Sequence, residues 1–163
     1  MLLMVSATFT EKIITHFEGA LTSCVVLTAF IPMLTGTCGN CGNQSSSTII
    51  RGLSLGEIEF RDTFRVVVKE FLIALACGIA LAVVNFAKLM IFDDSITWQM
   101  ALVISVTMIC AVVFAKVVGS VLPVIAKKIG FDPAVMSSPF ISTIVDAVTL
   151  LIYFAIASSV LNL

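Results

Sequence analysis

The sequence predicts an all-α transmembrane domain of five helices, and three observations predict it. Of its 163 residues, 60% are apolar and only 12% are charged, whereas a soluble domain carries about 25% charge. The mean hydropathy is +1.16. The charges are also bunched, so several long runs carry almost none. A soluble core of this length needs a charged shell over its surface, and these residues cannot supply one. The main solvent of the chain is lipid.

Crossing about 30 Å of hydrocarbon takes roughly 20 mostly apolar residues. The expected spans are 1–17, 20–50, 66–86, 100–125 and 137–160. The first is short and interrupted by Glu11–Lys12, so it reads as a helix that ends early or as a span that begins upstream. No basic segment opens it and no small-residue cleavage site follows, which argues against a signal peptide. The second begins as the apolar run Gly19–Leu34, which has 16 residues. At 1.5 Å per residue that is about 24 Å of helix, short of a crossing. The glycine- and asparagine-rich stretch that follows therefore has to complete the span. Two alternatives stand beside this reading: an extramembrane loop, or a helix-packing surface made of small residues.

The run from Glu57 to Glu70 mixes both signs of charge and reads as a solvated entry to the third span, with Asn85 and Lys88 as interfacial groups at its far end. Lys116, inside the fourth span, either snorkels or pairs with a carboxylate. Pro32 and Pro123 fall in helical runs and predict kinks. Asp132-Pro133 reads as a turn, with Pro133 in the first turn of the last helix.

Arg51, Arg61, Arg65 and Lys69 lie between the second and third spans, and Lys127 and Lys128 between the fourth and fifth. Positive residues favour the cytoplasmic side, so these two connections are expected inside, with the N-terminus in the cytoplasm and the C-terminus outside. The other side shows Lys12, Lys88 and Asp93–Asp94. One Trp and one Tyr leave almost no aromatic belt.

The charge balance, nine basic against ten acidic residues, excludes the basic footprint of a nucleic-acid binder. The five cysteines are an odd number, and Cys24, Cys77 and Cys110 sit in apolar runs as small hydrophobes. Cys38 and Cys41 have the spacing of a redox couple or half a zinc site. No second pair accompanies them, and His16 is the only histidine. No nucleophile–base set and no phosphate-binding glycine loop is present, so an enzyme is not expected.

Polar groups at membrane depth usually face a bundle interior or a wet cavity. They occur in two places. The first is the second span, where Gly36, Gly39, Asn40, Gly42, Asn43, Gln44 and the hydroxyl run 45–48 fall together. The second is the last span, where Ser138, Ser142, Asp146, Thr149 and Tyr153 recur at helical spacing and share one face. A carboxylate on a hydroxyl-lined face suits a cation path. The alternative is a neutral, hydrogen-bonded structural acid.

Two motifs resemble the MgtE family of magnesium transporters. One is Pro32 followed by Cys38-Gly39-Asn40-Cys41-Gly42-Asn43-Gln44 and Arg51-Gly52-Leu53. The other is Asp132-Pro133-Ala134, then Ser138-Pro139, Thr143, Asp146 and Tyr153-Phe154. The resemblance covers nearly the whole chain. It implies a homodimeric five-helix membrane domain with a pore on the two-fold axis, lined by the second and fifth spans. Asp146 from each subunit would hold hydrated Mg²⁺, the transported ion and ligand. Ser142 would add a carbonyl or hydroxyl, and Ser138 would lie nearer the cytoplasmic mouth. Gly39, Asn40, Asn43, Gln44, Thr143 and Thr149 are the expected pore-lining set. Asp132 matches an acidic position that binds regulatory Mg²⁺ with the family's cytosolic partners, an N-terminal domain and a pair of CBS domains. Those domains are absent from this chain, which reads as one transmembrane domain.

Two departures stand out: Cys38 replaces the first Gly of the family's Gly-Gly-Asn, and Cys41 follows the Asn. Thiols there would alter the width and polarity of a pore they faced. The residues agree with Mg²⁺, which prefers oxygen ligands and releases water reluctantly. The expected function is passive Mg²⁺ flux. Its rivals are a broader divalent carrier for Mn²⁺, Co²⁺ or Ca²⁺, with or without ion coupling, and a non-conducting structural subunit.

Overall fold

The computed structural model describes residues 2–17 and 25–161, without the side chains at 2, 3, 5, 6 and 135–138. Five α-helices run through the described residues: α1 Leu2–His16, α2 Ile31–Ser54, α3 Thr63–Phe92, α4 Trp98–Lys128 and α5 Pro133–Leu161. Short 3₁₀ helices, Val25–Phe30 and Phe60–Asp62, lead into α2 and α3. Among the described residues, four stretches are long and apolar enough to cross a membrane: Val25–Ser54, Phe60–Phe92, Trp98–Lys128 and Pro139–Leu161. The expected first span is present as α1. Its 15 described residues make about 22 Å of helix, with Glu11 and Lys12 exposed. The start of the second expected span, within 18–24, lies outside the described residues.

Local chemistry sets the helix ends. Pro32 occupies the first turn of α2, where its missing N–H costs nothing, so it begins the helix after the 3₁₀ turn and kinks no helix interior. The Thr97 hydroxyl caps α4 by accepting from the Met100 N–H at 3.4 Å. Gly130, at φ +83°, ends α4 in the left-handed conformation that glycine tolerates best, and the Phe131 N–H returns to the Ala126 carbonyl at 2.9 Å. Asp132 then caps α5, accepting from the Ala134 N–H at 2.9 Å, and Pro133 is the first helical residue as expected. Pro123 does lie inside α4.

Because lipid is as apolar as leucine, helices in a membrane associate chiefly through close van der Waals packing and polar contacts. This chain does so with small residues. Ala74, Gly78 and Ala82 make a buried stripe along α3, and a side chain at Gly78 would begin 3.2 Å from the Ile109 Cα. The Ser105 hydroxyl donates to the Ala82 carbonyl at 3.4 Å across the same seam. Asn85, expected at the membrane interface, is buried, because it continues the Ala74–Gly78–Ala82 face and α3 runs on to Phe92. α4 is the central element, packed against α2, α3 and α5. On its α2 side a Cβ at Gly119 would collide with the Gly42 carbonyl. α1 lies on α5, where Phe17 stacks on Phe154 with ring centroids 4.8 Å apart.

Lys127 Nζ donates to the Leu53 carbonyl at 2.8 Å, so the C-terminal ends of α2 and α4 meet. Arg51, Arg61, Arg65, Lys127 and Lys128 consequently gather at one end of the bundle. At the opposite end the Tyr153 hydroxyl donates to the Leu27 carbonyl at 2.9 Å.

Candidate functional site

The glycine- and asparagine-rich stretch is helix throughout, as part of α2, so the loop alternative falls. Isolated, such a helix would be weak, since each glycine costs roughly 1 kcal/mol relative to alanine. Tertiary packing compensates. A side chain at Gly42 would begin 3.1 Å from the Ala115 carbonyl and 2.9 Å from Ile141 Cγ2, so glycine alone lets α2 approach α4 and α5 this closely.

That approach sorts α2 into three faces. Leu34, Cys38, Gly42, Ser45, Ile49 and Leu53 are buried. Gly36, Asn40, Gln44, the adjacent Ser47 and Thr48, and Arg51 are exposed, successive turns being three or four residues apart, which keeps them on one side. The Ser47 and Thr48 hydroxyls return to the Asn43 and Gln44 carbonyls at 2.9 and 3.0 Å, which leaves the Asn40 and Gln44 amides as that face's main free polar groups. Between the two faces lie Gly39 and Asn43, turned toward α5.

There the two sequence-predicted segments meet. An ideal Cβ at Gly39 would stand 3.9 Å from Asp146 Oδ1, so glycine leaves the carboxylate open space. Asn43 Nδ2 donates to Ser142 Oγ at 3.4 Å, while Asn43 Oδ1 is buried with no hydrogen-bond partner. Asp146, Ser142 and Asn43 are all half-buried. Among the described residues, the ion pairs are Arg61–Glu59 and Lys116–Glu70, and neither involves Asp146. The site therefore offers a carboxylate, a hydroxyl and an amide oxygen. Such a hard-oxygen set suits a hard cation. Among the described residues no group of three or more His, Cys, Asp or Glu side chains converges into a closed metal cage.

The remaining expected residues lie around this centre or away from it. Thr149 is buried against Cys38. Tyr153, the top of the expected stripe, is pinned to Leu27 and closes the end of the bundle. Thr143 is half-buried, and its hydroxyl donates to the Pro139 carbonyl at 2.8 Å. Asn40 and Gln44 are exposed on the free face of α2. Ser138 lies in the first turns of α5, with its side chain outside the described residues. Asp132 is exposed at the α5 N-terminus, about 20 Å of helix away from Asp146. Cys38 and Cys41 are free thiols, one buried and one half-buried.

One polar cluster escaped the sequence reading. Glu70, expected in the solvated entry to α3, is buried and pairs with Lys116 at 3.2 Å. Ser45 bonds to both. A signal did exist: Glu70 and Lys116 are lone opposite charges, each at or inside an otherwise apolar span.

A family model named MgtE and described as a divalent cation transporter matches residues 31–156. Three curated proteins, each named Magnesium transporter MgtE, are similar along nearly the whole chain. The Thermus thermophilus protein is 34% identical over 161 residues, 99% of this chain and 35% of its own length. The Enterococcus faecalis protein is 35% identical over 153 residues, 91% of this chain and 32% of its own. The Bacillus subtilis protein is 33% identical over 169 residues, 99% of this chain and 35% of its own. This chain thus spans about a third of the length of the relatives it matches.

Proposed function

Because the chain belongs to the MgtE family, we propose that it is the membrane portion of a Mg²⁺ channel or transporter, multi-pass in a cell membrane. The observation that carries this is the exposed polar face of α2, directly beside a half-buried, unpaired Asp146. Amide groups facing hydrocarbon find no partner there, and each unsatisfied group costs several kcal/mol. This face therefore needs water, ions or a second protein surface. Two copies of the chain related by a two-fold axis would supply all three, with the α2 faces enclosing a wet path and one Asp146 from each copy at its centre.

Paired carboxylates with hydroxyl and amide oxygens around them are too sparse to replace the six ligands of Mg²⁺. They fit recognition of the ion through its water shell, in keeping with its reluctance to dehydrate. Ser142 and Asn43 would bond that shell, and Ser138 and Thr143 would continue the path along α5, while Thr149, buried against Cys38, would lie behind it. Flux would be passive, driven by the gradient and by membrane potential, which contributes about 2.3 kcal/mol per unit charge per 100 mV. The basic end of the bundle would face the cytoplasm, bringing Asp132 to the side where cytosolic regulatory domains act.

A helix-packing role for the glycines accounts for Gly42 against Gly119, but it does not reach the opposite face with Asn40 and Gln44. The test is Mg²⁺ influx into liposomes holding the purified chain, driven by a potassium diffusion potential and read by a Mg²⁺-sensitive dye. Asp146→Ala is expected to reduce influx by on the order of 100-fold, the scale of about 2.7 kcal/mol. Influx equal to that of the unmodified chain would refute the reading. Mn²⁺, Co²⁺ and Ca²⁺ competition in the same assay separates a Mg²⁺ path from a broader divalent one.

A further inference from the structure

Where α2, α3 and α4 converge, three polar side chains form a closed triangle away from the α2–α5 site. Ser45, Lys116 and Glu70 are only 1%, 4% and 8% exposed. The Ser45 hydroxyl donates to Glu70 Oε2 at 2.6 Å. Lys116 Nζ donates to Ser45 Oγ at 2.8 Å and lies 3.2 Å from the same Glu70 oxygen. Each member comes from a different helix.

A buried ion pair is a poor way to gain stability, because desolvation consumes much of the attraction and apolar side chains of similar size often do as well. Its special property is direction. α2 needs a directional constraint more than its neighbours do. Beside Gly39 and Asn43 its contact with α4 runs through Gly42 and Gly119, which permit close approach but offer no side chain to resist rotation there. Ile49 and Leu53 reach Val124 only further along. A shift of one residue turns a helix by about 100° and would carry Gly39 and Asn43 away from α5. Ser45 stands two residues beyond Asn43, close enough to fix that rotation.

We infer that Ser45, Glu70 and Lys116 are positioning residues: the Glu70–Lys116 pair on α3 and α4 grips α2 through the Ser45 hydroxyl and holds Gly39 and Asn43 toward Asp146 and Ser142. How tightly and how selectively the path holds its cation then depends on three side chains that do not touch it. This inference rests on the α2–α5 cluster being the ion site.

Its test has a geometric arm and a functional arm. Asn43→Cys and Ser142→Cys, in the 163-residue chain with its five native cysteines replaced by alanine, place two thiols across the α2–α5 contact. Copper-phenanthroline then measures how fast they join. Ser45→Ala, which leaves the ion pair intact but removes both hydrogen bonds of the hydroxyl, is expected to slow cross-linking about fivefold or more. Glu70→Gln with Lys116→Met should slow it by about tenfold or more, as expected when charged hydrogen bonds are lost. In the chain with native cysteines, both changes should raise the half-saturating Mg²⁺ concentration and lower the preference for Mg²⁺ over Ca²⁺ by similar factors. Maximal influx should stay within about twofold, since the path itself is untouched.

If Ser45→Ala cross-links as fast as its parent and leaves half-saturation unchanged, the pair merely ties α3 to α4 and the inference is overturned. Should the Glu70/Lys116 double variant fail to assemble, Ser45→Ala decides alone. Cross-linking requires no flux. A chain whose cross-linking depends on Ser45, but whose influx ignores Asp146, keeps the positioning of α2 and loses the proposed function. The reverse result removes this inference alone.

Discussion

α2 and α3 are both long helices that leave one side of this chain uncovered, and both pack their other side through small residues. The free faces differ in kind. α3 presents Phe64, Leu72, Ile79, Val83, Val84 and Ile91, while α2 presents Gly36, Asn40, Gln44, Ser47, Thr48 and Arg51. In water the α3 face would be the anomaly, an apolar patch awaiting a partner. In lipid it is already in its solvent and needs nothing more. The α2 face is then the one left incomplete. Exposure in such a protein acquires meaning only from the chemistry of what is exposed.

Packing tolerates least where α2 meets α4. Gly119→Val would drive a branched side chain into the Gly42 carbonyl, and overpacking of this kind costs roughly 3 kcal/mol or more. A large drop in thermal stability in detergent, with influx lost, is the expected outcome. Gly36→Ala, on the open face of the same helix with nothing within 4 Å of its Cβ, should leave stability unchanged or slightly raised.

A lysine scan sharpens the contrast between the free faces. Ile79→Lys, at a mid-helix position of α3 that is 46% exposed, puts a charge into lipid and should cost about 2.5–3.5 kcal/mol of insertion or folding. Asn40→Lys on α2 should fold almost normally, with stability within about 1 kcal/mol, if its surroundings are wet. It should nevertheless cut Mg²⁺ influx by about tenfold or more through repulsion along the path. Equal destabilisation at the two positions would show that the α2 face is lipid-exposed and remove the argument for a path.

The smallest expected effect lies at the far end of α5. Tyr153→Phe deletes the hydroxyl that bonds the Leu27 carbonyl while keeping the packed ring. It should lower stability by about 1 kcal/mol, measured as a melting shift, with Mg²⁺ half-saturation unchanged. A change in half-saturation would return Tyr153 to the ion path on which its helical spacing had placed it.

Four membrane-length helices and the two segments that meet at the candidate site were legible in the chain, because each depends on local pattern. Apolar length reports a crossing, glycine and amide residues within that length report a face that cannot meet lipid, and Ser142 and Asp146 fall one turn apart. Membership of the family was legible too, through two separated motifs in the right order. The first run reads from the sequence as short and interrupted by Glu11–Lys12, and over the described residues it forms the 15-residue helix Leu2–His16. Glu70 was misplaced. It closes a run of surface charges, and only the angle at which α3 meets α4 turns it inward.

By itself the sequence determined which segments are helices, that lipid is their solvent, and that an unusually polar helix must be shielded from it. These follow from composition and periodicity, which act over a few turns. Tertiary structure alone decided that Gly39 and Asn43 face Asp146 and Ser142, that Tyr153 is a pin at the bundle end, and that Lys116 joins Glu70 and Ser45. Those partners lie 25 to 126 residues apart along the chain. What brings them together is the close approach of glycine-bearing helices, and no local pattern encodes that distance.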